Sequence, residues 1–177
     1  MSDVIYIPEE GLESGLRFGP YSRDECFYIE KSNAYQKTCN HEFEIVEFCL
    51  YRSKSSTETI CLIEAKSSIP RNSDIFFAEV KAKISSSLLL LISSCLNRND
   101  EAHQELPTPY QALDLSKTRF KFFLVIKDIP DEYLEPINEK FRESIKPIRK
   151  SLFEKGEVAE VLNERRARKY GLIRDAQ

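Results

Sequence analysis

Two short apolar segments each carry an acidic residue, and the second also carries a lysine two positions later. Phe43 to Tyr51 reads Phe-Glu-Ile-Val-Glu-Phe-Cys-Leu-Tyr, and Ile60 to Ser68 reads Ile-Cys-Leu-Ile-Glu-Ala-Lys-Ser-Ser. The interval between them is polar and serine-rich, which is typical of two strands joined by a hairpin. A turn centred near Ser55-Ser56 pairs residues whose numbers sum to about 111, so we expect Glu47 to face Glu64.

Side-chain alternation along the two strands places Glu47, Glu64 and Lys66 on one face of the sheet. Two neighbouring carboxylates repel each other, so such a site favours either a raised carboxyl pKa or a cation between the two groups. Lys66 is one source of that cation. A divalent metal such as Mg²⁺ is another, because hard cations bind carboxylate oxygens. The pattern therefore predicts a shared acid–lysine site and leaves both sources of positive charge open.

This pattern resembles the PD-(D/E)xK nuclease-like superfamily, in which a strand ending in Glu-x-Lys lies beside an antiparallel strand that carries another acid. The resemblance implies that Glu47 and Glu64 bind Mg²⁺ or Mn²⁺ and that Lys66 positions or activates the attacking water. At the position of Glu47 the family usually has Asp. The implied activity is metal-dependent hydrolysis of phosphodiester bonds in DNA or RNA, in a bacterial defence or DNA-processing system. The phrase Ile-Glu-Ala-Lys-Ser-Ser is also similar to a group of uncharacterised bacterial proteins.

The rest of the chain supplies the elements that must position these residues. Apolar residues at three- and four-residue spacing predict a long apolar helix that begins near Ser73 and includes the run Leu88 to Ile92. The continuous apolar centre of Arg119 to Lys127 predicts a strand buried on both faces. A second helical stripe follows and should kink or break at Pro147, and Glu157 to Tyr170 is predicted as a last helix.

These elements predict one α+β domain over residues 1–177. Its nuclease-like core, about residues 25–128, is a central mixed sheet whose antiparallel hairpin carries Glu-x-Lys and which is flanked by the long apolar helix. Residues 131–177 are predicted as a C-terminal helical segment. The family core is usually a helix, three strands, a helix and a strand, which this order approximates.

Other acidic and basic groups are interpreted as surface features. Glu30 ends a predicted strand from Glu25 to Lys31 and is interpreted as a solvated strand end. Glu79 and Lys83 are interpreted as a solvated i,i+4 salt bridge, with a contact to the Glu-x-Lys site as the alternative. Arg98 to Lys117 contains two prolines and no clear period, which predicts a loop.

The charge distribution bears on possible partners. The chain has a net charge of −3, but residues 138–177 carry 11 basic and 7 acidic groups. Arg165, Arg168 and Lys169 have the three- and four-residue spacing of one helix face, and in a nuclease we expect them to contact nucleic-acid phosphates. A basic end on an acidic body equally suits an acidic partner protein or a second copy of the chain. The alternative function is therefore a non-catalytic interaction or assembly subunit that keeps the nuclease-like scaffold.

The cysteines and the apolar segments indicate a cytoplasmic protein without a membrane partner. Five cysteines, an odd number without a Cys-x-x-Cys motif, indicate reduced thiols. The longest apolar run, Leu88 to Ile92, is too short to span a bilayer. We expect the helix that carries this run to pack on both the sheet and the C-terminal helices, or to contribute to a homodimer interface.

Overall fold

The computed structural model describes residues 4–8, 14–38, 43–152 and 158–174. At its centre lies a five-stranded mixed sheet. Its strands, in spatial order, are β3 (Cys26–Phe27), β4 (Phe48–Lys54), β5 (Thr57–Lys66), β6 (Arg119–Ile126) and β7 (Ala159–Leu162). β4 is antiparallel to β3 and β5, whereas β5, β6 and β7 are parallel to one another. The α+β class and the mixed sheet are confirmed.

Helices connect the parallel strands, and a small second sheet packs on one face of the first. The helices are α1 (Asn33–Thr38), α2 (Ser73–Cys95), α3 (Asp100–Gln104), α4 (Thr108–Gln111), α5 (Leu134–Ser144), α6 (Lys146–Leu152) and α7 (Glu164–Lys169). The second sheet pairs β1 (Val4–Ile7) with β2 (Phe18–Ser22), and single 3₁₀ turns span Ile29–Lys31 and Asp131–Tyr133. α2 leads from β5 to β6, and α5 with α6 leads from β6 to β7, since parallel neighbours require long crossovers.

The central hairpin has the register that the sequence predicts. Phe48 pairs with Ile63, so the numbers of paired residues sum to 111. Ser55 and Ser56 form the turn with φ angles of 48° and 65°. Positive φ at both central residues is the geometry of the tight turn that matches the twist of a two-stranded hairpin.

Apolar side chains cover both faces of the five-stranded sheet. On one face, Ile60, Leu62 and Leu124 pack against residues of α2 and α5. On the other face, Ile63 and Val125 pack against β1, β2 and α7. The charged side chain of Glu64, near the end of β5, is therefore buried in a three-layered structure and needs partners there.

α2 is long, with 23 residues, but it is not the apolar helix that the sequence suggested. Its first half carries four charged residues, which are Asp74, Glu79, Lys81 and Lys83. Leu88 and Leu91 face the core, whereas Leu89 is 62 % exposed. α2 packs on the sheet and on α5, as expected, but along one side only.

None of the described helices combines the length and the hydropathy needed to cross a membrane.

The C-terminal region contains a strand that the sequence analysis did not predict. Ala159–Leu162 pairs in parallel with Phe122–Val125, inside the segment expected to be purely helical. Within the predicted helix Glu157 to Tyr170, only Glu164–Lys169 is helical among the described residues. Three of the four residues of β7 are buried against the core, so sheet pairing and packing outweigh helix propensity here.

Two other connecting segments differ in how well they were predicted. α5 and α6 are separated at Ile145, which confirms the predicted break near Pro147. The predicted loop from residue 98 to 117 instead contains α3 and α4. At the end of α3, Glu105 accepts hydrogen bonds from the backbone N–H groups of Asn33 at 2.8 Å and Ala34 at 2.9 Å, which fixes the start of α1.

Candidate functional site

The three residues predicted to share a site lie together at one end of the hairpin. Glu64 and Lys66 are on β5, and Glu47 immediately precedes β4. Lys66 Nζ lies 3.0 Å from Glu64 Oε1, and the Glu64 side chain is only 1 % exposed. Glu47 is the third residue, and the negative charge of Glu64 raises the pKa of its carboxyl group.

A second lysine, Lys83 of α2, also forms an ion pair with Glu64. Lys83 Nζ lies 2.9 Å from Glu64 Oε1, and the Lys83 side chain is 16 % exposed. The favoured interpretation of Lys83 as a solvated partner of Glu79 is therefore wrong, and the alternative contact with the Glu-x-Lys site is the one observed. Local i,i+4 spacing could not decide this, because the orientation of α2 over β5 determines which side chain faces Glu64.

The two oxygens of Glu64 have different surroundings. Both ammonium groups approach Oε1 at ion-pair distance. Oε2 is buried and has no hydrogen-bond partner within the part of the chain that the structure describes. A buried carboxylate oxygen without a partner is costly, since it loses the hydrogen bonds that water provides.

Glu47 carries a second buried carboxyl group with an unusual pKa. Burial, together with the negative charges of Glu64 and Glu30, raises the pKa of Glu47 to about 8, while the positive charge of Lys83 opposes the shift. The Glu47 and Glu30 carboxyl groups are also hydrogen-bonded to each other. Glu47 is therefore mostly protonated at neutral pH and donates this hydrogen bond.

Glu30 is a residue of the site that the sequence analysis placed in solvent. The predicted strand from Glu25 to Lys31 stops at Phe27, and the chain continues as a 3₁₀ turn over Ile29–Lys31. This turn brings the Glu30 carboxyl group to Glu47. We refer to Glu30, Glu47, Glu64, Lys66 and Lys83 as the acid–lysine cluster.

The pKa of Lys83 reflects the balance of charges in the acid–lysine cluster. Burial lowers the pKa of Lys83, but the Glu64 carboxylate outweighs this effect, with smaller contributions from Glu47 and Glu44. The pKa of Lys83 is consequently raised above its ordinary value of 10.5. Lys83 thus stays charged throughout the physiological pH range.

A hydrogen bond from the backbone holds the residue before Glu47 against α2. The Val46 N–H donates to Ser87 Oγ at 2.9 Å, and Ser87 is completely buried. Ser87 belongs to a run of three serines that weakens helix propensity. The small side chain lets the chain approach α2 closely and so positions Glu47 near Lys83.

The composition of the acid–lysine cluster suits a hard divalent cation. Its three acidic side chains supply carboxylate oxygens, which Mg²⁺ and Mn²⁺ prefer. Within the described ranges, no three His, Cys, Asp or Glu side chains are arranged to hold a metal ion by themselves. Mg²⁺ is commonly bound by only one or two carboxylates together with waters and substrate phosphates, and metal binding by Glu47 and Glu64 stays a prediction.

The basic residues predicted to bind nucleic acid lie on α7 and make contacts within the protein. Arg165 forms an ion pair with Asp131, and Arg168 Nη2 lies 2.9 Å from Glu164 Oε1. Lys169 is exposed at the end of the same helix. These acids partly neutralise the basic surface, and its role in binding nucleic acid stays a prediction.

Comparisons with protein-family models, with curated proteins and with solved structures find no significant match for this chain.

Proposed function

We propose that the acid–lysine cluster is the active site of a divalent-metal-dependent enzyme that hydrolyses phosphodiester bonds in DNA or RNA. The observation that carries the proposal is the carboxylate of Glu64, buried with one oxygen unpartnered beside a second acid, Glu47. A buried oxygen without a partner and two neighbouring acids both destabilise a cluster that has only a structural role. A bound cation would offset both costs, because it would coordinate the oxygen and reduce the repulsion between the acids.

Glu47 and Glu64 would hold Mg²⁺ or Mn²⁺ in this proposal. When bound, the ion polarises a phosphate oxygen and lowers the pKa of a coordinated water. Glu47 must lose its proton to become a ligand, so binding is coupled to proton release. Glu30 is hydrogen-bonded to Glu47 and would keep the Glu47 carboxyl group oriented.

The two lysines have different surroundings and therefore different proposed roles. The Lys66 side chain is 33 % exposed, so its ammonium group can reach a solvent-side water or phosphate and offset negative charge in the transition state. The Lys83 side chain belongs to α2 and is only 16 % exposed. Its role is to hold the Glu64 carboxylate in place rather than to contact the substrate.

The order of elements supports the proposal without deciding it. From β3 to β6 the chain forms three strands, a helix that bears on the site, and a further strand, apart from the short helical elements between them. This matches most of the order usual for the PD-(D/E)xK core. A cytoplasmic location in a bacterium belongs to the same proposal, and the described cysteines Cys26, Cys49, Cys61 and Cys95 are all unpaired, as that location requires.

One observation favours the alternative function, a non-catalytic assembly subunit. Two lysines already balance the charge of Glu64, so the acid–lysine cluster is close to neutral without a metal. In such a subunit, the cluster would be an internal ion network that orients α2 on the sheet. The two functions differ in one measurable respect, which is whether the purified protein cuts nucleic acid.

The experiment that tests the proposal is a cleavage assay with purified protein, labelled single- and double-stranded DNA and RNA, and Mg²⁺, Mn²⁺ or EDTA. We expect metal-dependent cleavage that Lys66→Ala abolishes. The matched control is Lys121→Ala, a lysine of β6 that lies on the opposite sheet face, beside Cys61. Absence of cleavage of all four substrates with both metals would favour the assembly function.

A further inference from the structure

The outer face of α2 carries an apolar stripe that the rest of the fold leaves exposed. Its large residues Ile75, Leu89 and Leu96 are 57 %, 62 % and 58 % exposed. With Ala82 they recur at intervals of seven residues, and smaller or half-buried residues lie between them at the heptad positions. We call this set the outer stripe: Ile75, Ala78, Ala82, Ser85, Leu89, Ile92 and Leu96.

The outer stripe lies opposite the side of α2 that packs on the sheet. The core-facing residues include Val80, Ile84, Leu88 and Leu91. No position of the outer stripe is charged, although 31 % of the chain is. Exposed apolar surface of this extent along a helix of 23 residues, about 34 Å, is unusual for a surface in contact with water alone.

We propose that a second copy of this chain covers the outer stripe, with the two α2 helices packed antiparallel about a two-fold axis. After Ile75 at its start, the stripe has small residues in its first half, Ala78, Ala82 and Ser85, and large ones in its second half, including Leu89 and Leu96. An antiparallel arrangement places Leu89 of each copy on Ala82 of the other and Ile75 of each copy on Leu96 of the other. Side chains then interdigitate along the whole length of the contact.

A parallel arrangement does not achieve the same fit. It would set Ala82 against Ala82 between two pairs of large residues, Ile75 against Ile75 and Leu89 against Leu89, so the alanines could not pack closely. A two-fold antiparallel contact is also self-complementary, because one stripe supplies both sides of the interface.

The charges beside the outer stripe agree with the antiparallel direction. Asp74 lies next to its first residue and Arg98 follows its last, and both are exposed. In the antiparallel pair, Asp74 of each copy is near the partner's Arg98. In a parallel pair, Asp74 would instead approach the partner's Glu79, which is a repulsive contact.

An apolar cavity next to the outer stripe extends the surface that a second copy can contact. Leu89 lines this cavity together with Phe43, Leu90 and Ser93, and its volume is about 400 Å³. Leu89 is therefore the residue at which the stripe and the cavity meet. The proposed contact does not depend on the proposed enzymatic function.

The oligomeric state of the full chain tests the proposal. We expect sedimentation equilibrium to show a monomer–dimer equilibrium, and Leu89→Lys to raise the dimer dissociation constant by at least about 100-fold. Each copy loses one buried leucine, and each loss contributes about tenfold. The matched control is Tyr133→Lys, which changes a residue that is 58 % exposed on another surface and should leave the equilibrium unchanged. A wild-type protein that stays monomeric, or a dimer indifferent to Leu89→Lys, would overturn the proposal.

The direction of packing has its own test by disulfide cross-linking. In the antiparallel pair, Ala82 faces the partner's Leu89. Mixing the Ala82→Cys and Leu89→Cys proteins under oxidising conditions should therefore yield a linked heterodimer, with wild type reporting the background from native thiols. Neither variant alone should form a link at the new cysteine, because the two copies of either position lie more than about 7 Å apart. Linkage within each variant alone, or no linkage in the mixture, would exclude the antiparallel arrangement.

Discussion

The ammonium group of Lys83 lies 2.9 Å from the Glu64 carboxylate, across the boundary between α2 and β5. The contact joins the helix to the strand that carries Glu-x-Lys, and it gives a carboxyl group that is 1 % exposed a cationic partner. The acid–lysine cluster is thus part of the packing of α2 on the sheet as well as a candidate site.

Replacing Lys83 tests how much this contact stabilises the fold. We expect Lys83→Met to lower the free energy of unfolding by about 1–3 kcal/mol, because Glu64 loses one of its two cationic partners. The pKa of Lys83 is raised, so its contribution is complete at neutral pH and is lost only as the pH rises above 10.5. Urea denaturation at pH 7 measures the change. Lys81→Met on the same helix is the control, and an equal loss in both variants would contradict a specific role for Lys83.

The stability of the metal-free protein should depend on the protonation of Glu47. The folded pKa of about 8 lies above the ordinary value of 4.5, so the contribution of Glu47 is complete below pH 4.5 and is lost as the pH rises through 8. Glu47→Gln cannot ionise and should avoid this loss. We expect the variant to be more stable than wild type by about 2 kcal/mol at pH 9 and no more stable at pH 4. Parallel thermal melts across this pH range, with identical curves for both proteins, would contradict the raised pKa.

The same protonation should make metal binding pH-dependent. Below pH 8, each unit of acidification should weaken Mn²⁺ binding by about tenfold, because Glu47 must first release its proton. Calorimetric titrations in buffers of different ionisation enthalpy measure the released proton directly. Binding that is equally tight at pH 6 and pH 8, with no proton release, would show that Glu47 is not a ligand.

The hairpin register and the faces of its strands could be predicted from the sequence, because alternation and a polar turn are local signals. Glu30 and Lys83 could not be assigned to the site in the same way. Glu30 reaches Glu47 only because the chain leaves β3 after Phe27 and turns, and Lys83 reaches Glu64 only through the tertiary packing of α2. β7 could not be predicted, because four residues without a clear alternation of apolar and polar side chains do not indicate a strand. Its pairing with β6 is a long-range contact, which local sequence patterns do not show.

The hairpin turn offers a prediction about stability that is independent of function. Ser56 has a φ of 65°, a region that glycine occupies without the steric cost of a Cβ atom. Ser56→Gly should therefore raise the free energy of unfolding by about 0.5–1 kcal/mol. Ser53→Gly, in the regular part of β4, should lower it instead. Chemical denaturation that gave both variants the same sign would argue against this turn geometry.

The basic residues of α7 should contribute less to nucleic-acid binding than their number suggests. Replacing Arg165, Arg168 and Lys169 together by Ala can flatten the slope of log affinity against log salt by at most about three charges. Since Arg165 and Arg168 already pair with acids, we expect a change of about one. Fluorescence anisotropy at several salt concentrations measures the slope, with Lys54→Ala at the hairpin end as a single-charge control. A full three-charge change would mean that the internal ion pairs open on binding.

The central claim is that Glu47 and Glu64 bind a divalent cation in an enzyme that cuts phosphodiesters. Calorimetric titration of Mn²⁺ into the purified protein at pH 8.5 tests the binding step most directly, with Glu64→Gln as the isosteric variant. The account predicts saturable binding to wild type that weakens by at least about 100-fold in Glu64→Gln, since a charged ligand to the metal is lost. No saturable binding to wild type, or equal binding to both proteins, would contradict it.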